Sequence, residues 1–370
     1  MTRTMRLRTY ASRRRRAMGK AASEKVQALL VSRMEDVSYL SGFSGEDAYL
    51  LVGRGWACLL TDGRFGEQAP KECPGVEIHV RSKSLAIAAA EVLKGRGVRR
   101  LGLQSGHMTL SGRDALAKGV GERRPKPIGD LIDQLRTVKD AQEIRAIRKA
   151  IRIAEEALLS LLAGGKKAFV GKTERQIAAE LDYRMRLAGA DRPSFEPIVA
   201  AGANGSMCHY QPGSRRVREG DALLIDWGAM AGGYCSDLTR VLFMGRISAK
   251  LGEIYDVVLR AQAAGIAALR PGASCKTPDA AARKVIEAAG YGKQFVHGLG
   301  HGIGRQIHEA PGLSRTSTAR LRAGMVVTVE PGIYLPGVGG VRIEDDVEIT
   351  ADGRRRLSRI PRTLSAMVLQ

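Results

Sequence analysis

The sequence has few cysteines, few aromatics and no long apolar run, and each shortage excludes something. Five cysteines (Cys58, Cys73, Cys208, Cys235 and Cys275) are scattered through 370 residues, with no CxxC pair. An odd, dispersed set argues against a disulfide framework and against a zinc–thiolate site. It fits a reducing compartment, so the expected location is cytoplasmic. Each thiol reads as a small buried apolar group. No apolar stretch approaches the ~20 residues that a membrane span needs. No apolar segment follows the N-terminal charges, so a secretory signal is not expected. Aromatics make up 5% of the chain against 44% hydrophobic residues, so the core must be mainly aliphatic.

Acid is also short. Lys and Arg total 59 against 38 Asp and Glu, a net charge of +21. Residues 1–20 contain no acid but carry Arg3, Arg6, Arg8, Arg13 to Arg16 and Lys20. They read as a disordered basic tail, or as the product of an upstream start with the true start at Met5 or Met18. A nucleic-acid-binding arm and a transit peptide are the alternatives. The remaining basic excess favours solubility or acidic partners and names no function.

What is present divides into two domains, as the length suggests. Residues 21–136 read as a small α/β domain. Asp47–Val52 and Trp56–Thr61 are strand-like runs separated by Gly53 and Gly55, a hairpin signal. Val76–Val80 and Leu101–Leu103 add strands, and Ser84–Leu93 a helix. The Pro-bearing stretch Gly121–Gly129 is the candidate linker. Residues 137–370 then alternate helices with strands. Helices are expected over Asp140–Leu162 and Glu174–Ala188, with capping boxes Asp140/Glu143 and Thr173/Gln176. Two more are expected over Ala249–Leu269 and from Thr277-Pro278 to Gly290, with Pro278 at the first helical position. Ala222–Trp227 and Leu238–Phe243 flank one Gly-rich turn; Met325–Glu330 and Val341–Asp346 flank another. The expected class is α/β, of the α+β kind: helices packed on a curved, mainly antiparallel sheet. Each strand pair carries one carboxylate per strand, which hints at two similar halves.

Those carboxylates are the anomaly. Asp226 follows Leu223-Leu224-Ile225, Glu330 follows Val326-Val327-Thr328-Val329, and Glu344 follows Ile343. A buried carboxylate needs a cation or a proton. Four of them sum to −4, which two divalent ions balance, and oxygen donors with one imidazole suit Mn²⁺, or less selectively Co²⁺, Zn²⁺ or Fe²⁺. Of six histidines, His297, His301 and His308 fall within the Gly-rich segment Phe295–Glu309, and His209 lies upstream. The segment lacks the Lys-Ser/Thr ending of a phosphate loop and is no HExxH zinc helix.

These motifs resemble the pita-bread metallopeptidases of family M24. The order Asp, Asp, His, Glu, Glu is met in Ile225-Asp226-Trp227-Gly228, Ser236-Asp237-Leu238-Thr239-Arg240, Gly300-His301-Gly302-Ile303-Gly304, Thr328-Val329-Glu330-Pro331-Gly332 and Gly340-Val341-Arg342-Ile343-Glu344. The Asp-to-Asp gap is eleven, as in that family. The catalytic resemblance covers about residues 137–360. Tyr39–Phe43 and Leu60–Phe65 are similar to the creatinase-type N-terminal domain. Methionine aminopeptidases share the ligands but usually lack that domain, and creatinases lack the ligands. Paired His297 and His301 followed by His308-Glu309 resemble the Xaa-Pro branch. Arg305 and Gln306 depart from its pattern, which puts the pocket rim and subsite specificity in question.

The resemblance implies two divalent ions held by Asp226, Asp237, His301, Glu330 and Glu344, with Asp237 and Glu344 shared between them. It implies Glu330 as proton acceptor, His308 as donor to the substrate carbonyl, and His209 and His297 as orienting groups. Arg342 would brace the carboxylates, and Tyr334 would line the site. Proline-containing peptides are the implied substrates and a homodimer the implied assembly. The first expectation is an Xaa-Pro aminopeptidase, with a prolidase acting on dipeptides as alternative. The competing class is a non-catalytic pita-bread module that binds protein or nucleic acid. Such modules lose metal ligands and none is lost here, so nucleic acid is not an expected partner.

Overall fold

A computed structural model describes residues 3–120, 125–129 and 131–370. The chain forms two compact units, Met1–Arg136 and Thr137–Gln370. Among the described residues no helix is long and apolar enough to cross a membrane.

The first unit is built on six strands: β1 (Ala28–Val31), β2 (Tyr49–Gly53), β3 (Trp56–Thr61), β4 (Glu77–Val80), β5 (Leu101–Leu103) and β6 (Lys126–Pro127). Their order in the sheet is β4-β3-β2-β1-β5-β6. The β2–β3 hairpin turns at Gly55, whose φ of +81° a side chain would resist. Residues alternate between faces along β1. Leu29 and Val31 join one cluster, with Ala17, Val37, Leu40 and Ile132 from helices. Ala28 and Leu30 join the other, with Ala89, Leu93 and Leu116. Helices therefore cover both faces of the sheet.

The N-terminal basic segment corrects the expectation of a disordered tail. It is a helix, Arg3–Ala21. Arg13, Arg14, Ala17, Met18 and Ala21 are buried, at the three-and-four spacing of one helix face. The Arg13 and Arg14 guanidiniums donate to the carbonyls of Tyr39 and Leu40 at 3.2 and 2.8 Å. Those carbonyls lie in the last turn of the helix Met34–Ser41. Helix-end carbonyls lack intrahelical partners and carry partial negative charge, so the cations satisfy them. Two basic residues of the expected tail thus work as caps on another helix.

The expected linker is also not one. Residues 121–124 lie outside the described set, but Lys126–Pro127 pairs in parallel with β5. Ile128, Leu131, Ile132 and Leu135 then pack into the first core. The apolar residues after the prolines hold the chain on the sheet.

In the second unit both capping boxes form, opening the helices Ala141–Leu162 and Glu174–Leu187. The helix Ala249–Ala268 follows, then Lys276–Ala288. Pro278 occupies the third position of that last helix rather than the first. It is still in the turn whose N–H groups need no partner.

The strands are β7 (Arg192–Pro193), β8 (Ile198–Ala201), β9 (Ala222–Trp227), β10 (Ala229–Ala231), β11 (Tyr234–Cys235), β12 (Leu238–Met244), β13 (Gly300–Gly302), β14 (Glu309–Leu313), β15 (Val326–Val329), β16 (Gly332–Leu335), β17 (Gly339–Arg342), β18 (Asp345–Ile349), β19 (Arg354–Arg356) and β20 (Val368–Leu369). Two motifs match. β9 pairs antiparallel with β12, and the connection between them contains the β10–β11 hairpin. β15 pairs antiparallel with β18, and the connection contains the β16–β17 hairpin. The segment Val341–Asp346, expected as one strand, breaks at Ile343-Glu344 between β17 and β18. The break lets Glu344 turn to meet Thr239 in an isolated bridge.

If the first helix is packed as described, Ala17→Arg will lower the urea midpoint by an amount worth at least about 2 kcal/mol, because Ala17 has no exposed surface. Arg16→Ala, at an exposed position, should change stability by less than about 0.5 kcal/mol. Equal, negligible effects would show that the segment does not pack.

Candidate metal centre

The two strand pairs present their acids at matching places. Asp226 lies in β9 opposite Thr239 of β12, and Asp237 immediately precedes β12. Glu330 immediately follows β15 and Glu344 immediately precedes β18, whose ladder ends on Val329 opposite Asp345. Thr239 therefore has Asp226 on one side and Glu344 on the other. Its hydroxyl donates to Glu344 Oε2 at 2.7 Å and accepts from Arg342 Nε at 3.0 Å. Arg342 Nη2 in turn donates to Asp226 Oδ2 at 2.5 Å. One arginine and one threonine thus hold a carboxylate from each half.

His301 enters from β13. Its Nδ1 faces the Gly302 carbonyl at 3.0 Å, so that nitrogen carries the proton and Nε2 keeps a lone pair. Nε2 lies 3.6 Å from Asp237 Oδ2 and 3.4 Å from Glu330 Oε1. These separations are long for hydrogen bonds. They suit donors sharing one ion, which stand about 3.0–3.4 Å apart when each is about 2.1 Å from it. Donor atoms of Asp237, His301 and Glu344 all lie within 4.8 Å of one another. Asp226 Oδ1 and Glu344 Oε1 are buried with no hydrogen-bond partner. An orphaned buried carboxylate oxygen is costly unless a cation takes it. The donor set fits a divalent-metal site.

Electrostatics agree. Burial pushes the Asp237 and Glu344 carboxyls well above the usual carboxylate range, and the neighbouring acids push them further. Burial raises Glu330 as well. Burial lowers His301, which keeps its imidazole neutral and able to ligate.

A cavity of about 470 Å³ opens over this cluster. His209, His297 and His308 line it with the five acid and imidazole donors, and Phe195, Glu196, Ile198 and Ile307 complete the walls. His308 is exposed. Its ring centroid is 4.4 Å from that of His301. Partial burial lowers its pKa, and the nearby His301 and His209 imidazoles, which disfavour a further positive charge, lower it more.

His297 is less free than the sequence suggests. Its Nδ1 donates to the Gly298 carbonyl at 2.8 Å, and its Nε2 accepts from Tyr334 Oη at 2.9 Å. Tyr334 Oη also accepts from Arg342 Nη1 at 2.9 Å. Tyr334 is buried behind the wall and does not line the cavity, contrary to expectation. It ties Arg342 to His297.

Several participants were not singled out from the sequence. Thr239 is one. Thr328 Oγ1 accepts from the His301 amide at 3.0 Å and donates to Glu330 Oε1 at 3.1 Å. Asp346 Oδ2 accepts from the Asp237 amide at 3.1 Å. The signal for them in the sequence is a polar residue within an apolar strand, as Thr239 and Thr328 are. Glu309 accepts from the amides of Arg305 and Gln306 at 2.8 and 3.1 Å and pairs with the buried Lys139 at 3.0 Å. Arg305 and Gln306, expected to alter the rim, are not among the residues lining the cavity. The Arg305 guanidinium lies instead over the Tyr234 ring at 5.1 Å. All five cysteines are free thiols and four are buried; Cys208 is half-buried and lines the cavity.

Known proteins resemble this chain in sequence and in fold. The chain matches the family profile of Metallopeptidase family M24 over residues 145–351 and that of the Creatinase/Prolidase N-terminal domain over residues 13–138. The chain belongs to metallopeptidase family M24. Its fold is a creatinase-type N-terminal domain followed by a pita-bread domain, and the family is one of hydrolases that use divalent metals. The Xaa-Pro dipeptidase of Pyrococcus horikoshii is 34% identical over 347 residues, 92% of this chain and 94% of the relative. The structure of an Xaa-Pro dipeptidase from Bacillus anthracis superposes with a TM-score of 0.92 at 35% identity, covering 97% of this chain and all of that one. An X-Pro aminopeptidase from Thermotoga maritima superposes at 0.86 with 34% identity, covering 92% and 97%.

The buried acids predict a pH signature. Protons held by Asp237 and Glu344 in the metal-free fold stabilise it below about pH 4, and that contribution is lost as pH rises through their raised folded values. A divalent ion replaces those protons, so its binding strengthens with pH. The rise in Tm on adding Mn²⁺ to chelator-treated protein should be larger at pH 8 than at pH 5 by roughly 5 °C or more. An equal or smaller rise at pH 8 would contradict a cation site.

Proposed function

We propose that this chain is an Xaa-Pro dipeptidase, a prolidase, with two divalent ions held by Asp226, Asp237, His301, Glu330 and Glu344. The observation that carries the metallohydrolase part is the set of converging buried donors with unpartnered oxygens at the floor of the cavity. The dipeptidase part, ranked second on sequence motifs, moves ahead of the aminopeptidase. Relatives similar over nearly the whole chain are named Xaa-Pro dipeptidases. A cavity of about 470 Å³ is also of small-ligand size. Four carboxylates balance two divalent cations, and the oxygen-rich set favours Mn²⁺.

Bound divalent ions acidify water and polarise the scissile carbonyl. The protein groups do the rest. Thr328 holds Glu330 through Oε1, so Oε2 is left to accept a proton from the attacking water. His308, a neutral imidazole on the cavity wall, donates a ring N–H to the carbonyl oxygen as charge develops there. His209 orients the peptide. His297, with both nitrogens engaged, offers its ring as a wall for the prolyl side chain. Arg342 keeps Asp226 in place.

With Mn²⁺ present, kcat/KM for Ala-Pro should exceed that for Ala-Pro-Pro by at least about tenfold, a difference of about 1.4 kcal/mol. Equal or preferred cleavage of Ala-Pro-Pro would return the assignment to an aminopeptidase. Asp237→Ala should lose bound metal, measured by elemental analysis, and at least about a thousandfold in kcat/KM, or about 4 kcal/mol. Activity surviving that substitution would count against the ligand set.

A further inference from the structure

We infer that Glu174, which lies outside the cavity, is a positioning residue that sets the substrate-facing wall carrying His209. The inference rests on the dipeptidase reading for its substrate. Glu174 is the first residue of the helix Glu174–Leu187 and has no exposed surface. Its carboxylate accepts four hydrogen bonds. Oε1 takes the Ala201 amide at 2.8 Å and Asn204 Nδ2 at 2.9 Å. Oε2 takes Tyr210 Oη at 2.7 Å and the Gly213 amide at 3.1 Å. Asn204 Nδ2 also donates to Tyr210 Oη at 2.9 Å.

The donors span one segment, 201–213, from its first residue to its last. That segment puts Cys208, His209, Tyr210 and Gln211 on the cavity wall. Its other side is pinned too, since a Cβ on Gly340 would fall 2.1 Å from the Gly205 carbonyl oxygen. Gly340 lies in the strand that carries Arg342. The segment is thus clamped between a buried carboxylate and the strand bracing the acids.

Only an ionised carboxylate accepts at all four places while donating nowhere. The helix N-terminus at which it sits favours its negative charge. A glutamine of equal size would turn an NH₂ toward two loop donors. His209 has no hydrogen bond of its own to the protein among those described, so its place is set by this clamp.

The test is a double-mutant cycle in the Mn²⁺-loaded enzyme with Ala-Pro. Glu174→Gln should raise KM about tenfold, leave kcat within about twofold and leave metal content unchanged. In a His209→Ala background, Glu174→Gln should add no further rise. Amide hydrogen exchange over 201–213 should speed up about tenfold in metal-free Glu174→Gln, with the rest of the second unit unaltered. If that variant fails to fold, Asn204→Ala, which removes one of the four donors, should raise KM about threefold with the same dependence on His209. KM unchanged, KM effects that multiply across the cycle, loss of metal along with kcat, or unaltered exchange would each overturn the proposal. Wild type inactive on Ala-Pro would sink the dipeptidase reading alone, and the exchange experiment would still decide the role of Glu174.

Discussion

Four carboxylates and an imidazole are drawn together beneath a small cavity by strands whose other residues are mainly apolar. Their mutual repulsion, strengthened by loss of water, is the constraint to which the rest of the second unit answers. Each half of the unit supplies two acids from an antiparallel strand pair. Thr239 and Arg342 join the halves, touching Asp226 and Glu344. Behind them Arg240, with no exposed surface, donates to the carbonyls of Thr239 and Glu344 and to Asp345 at 2.9, 2.6 and 2.8 Å. The backbone that carries Glu344 is therefore held independently of its side chain. Bracing of this kind orients the acids before any cation binds, which is what pre-organisation requires.

The imidazoles divide according to what their nitrogens already do. His301 spends Nδ1 on a backbone carbonyl and keeps Nε2 for the cage. His297 spends both nitrogens, and Tyr334 couples it to Arg342. His209 and His308 stand exposed with polar atoms available to a substrate. Their supports lie farther out. Glu309, paired with Lys139, gathers the turn before His308, and Glu174 gathers the segment that carries His209. Buried carboxylates thus serve twice here, once as candidate ligands and once as anchors whose oxygens are saturated by hydrogen bonds.

Motif order and spacing single out the candidate donors in the sequence, and an acid inside an apolar strand, as Asp226 is, is conspicuous wherever it occurs. Capping boxes at Asp140 and Thr173 were legible for a similar reason: the whole interaction lies within four residues. The basic N-terminus is a packed helix for a reason its own residues do not carry. Arg13 and Arg14 are caps only because the helix Met34–Ser41 ends against them, some 26 residues away. Val341–Asp346 reads as one strand in the sequence because Val341 and Ile343 alternate with polar residues, and nothing local says that Glu344 must turn toward Thr239.

Local chemistry in the sequence was enough to indicate the two-domain α/β character and the helix starts at Asp140 and Thr173, since each is written in neighbouring residues. Tertiary structure alone decided the rest. It put Tyr334 behind the wall rather than on it, committed both nitrogens of His297, made Thr239 the joint between halves and placed Glu174 under the wall that bears His209. All of these are partnerships between residues far apart in the chain, fixed by strand register and by the need of every buried polar atom for a partner.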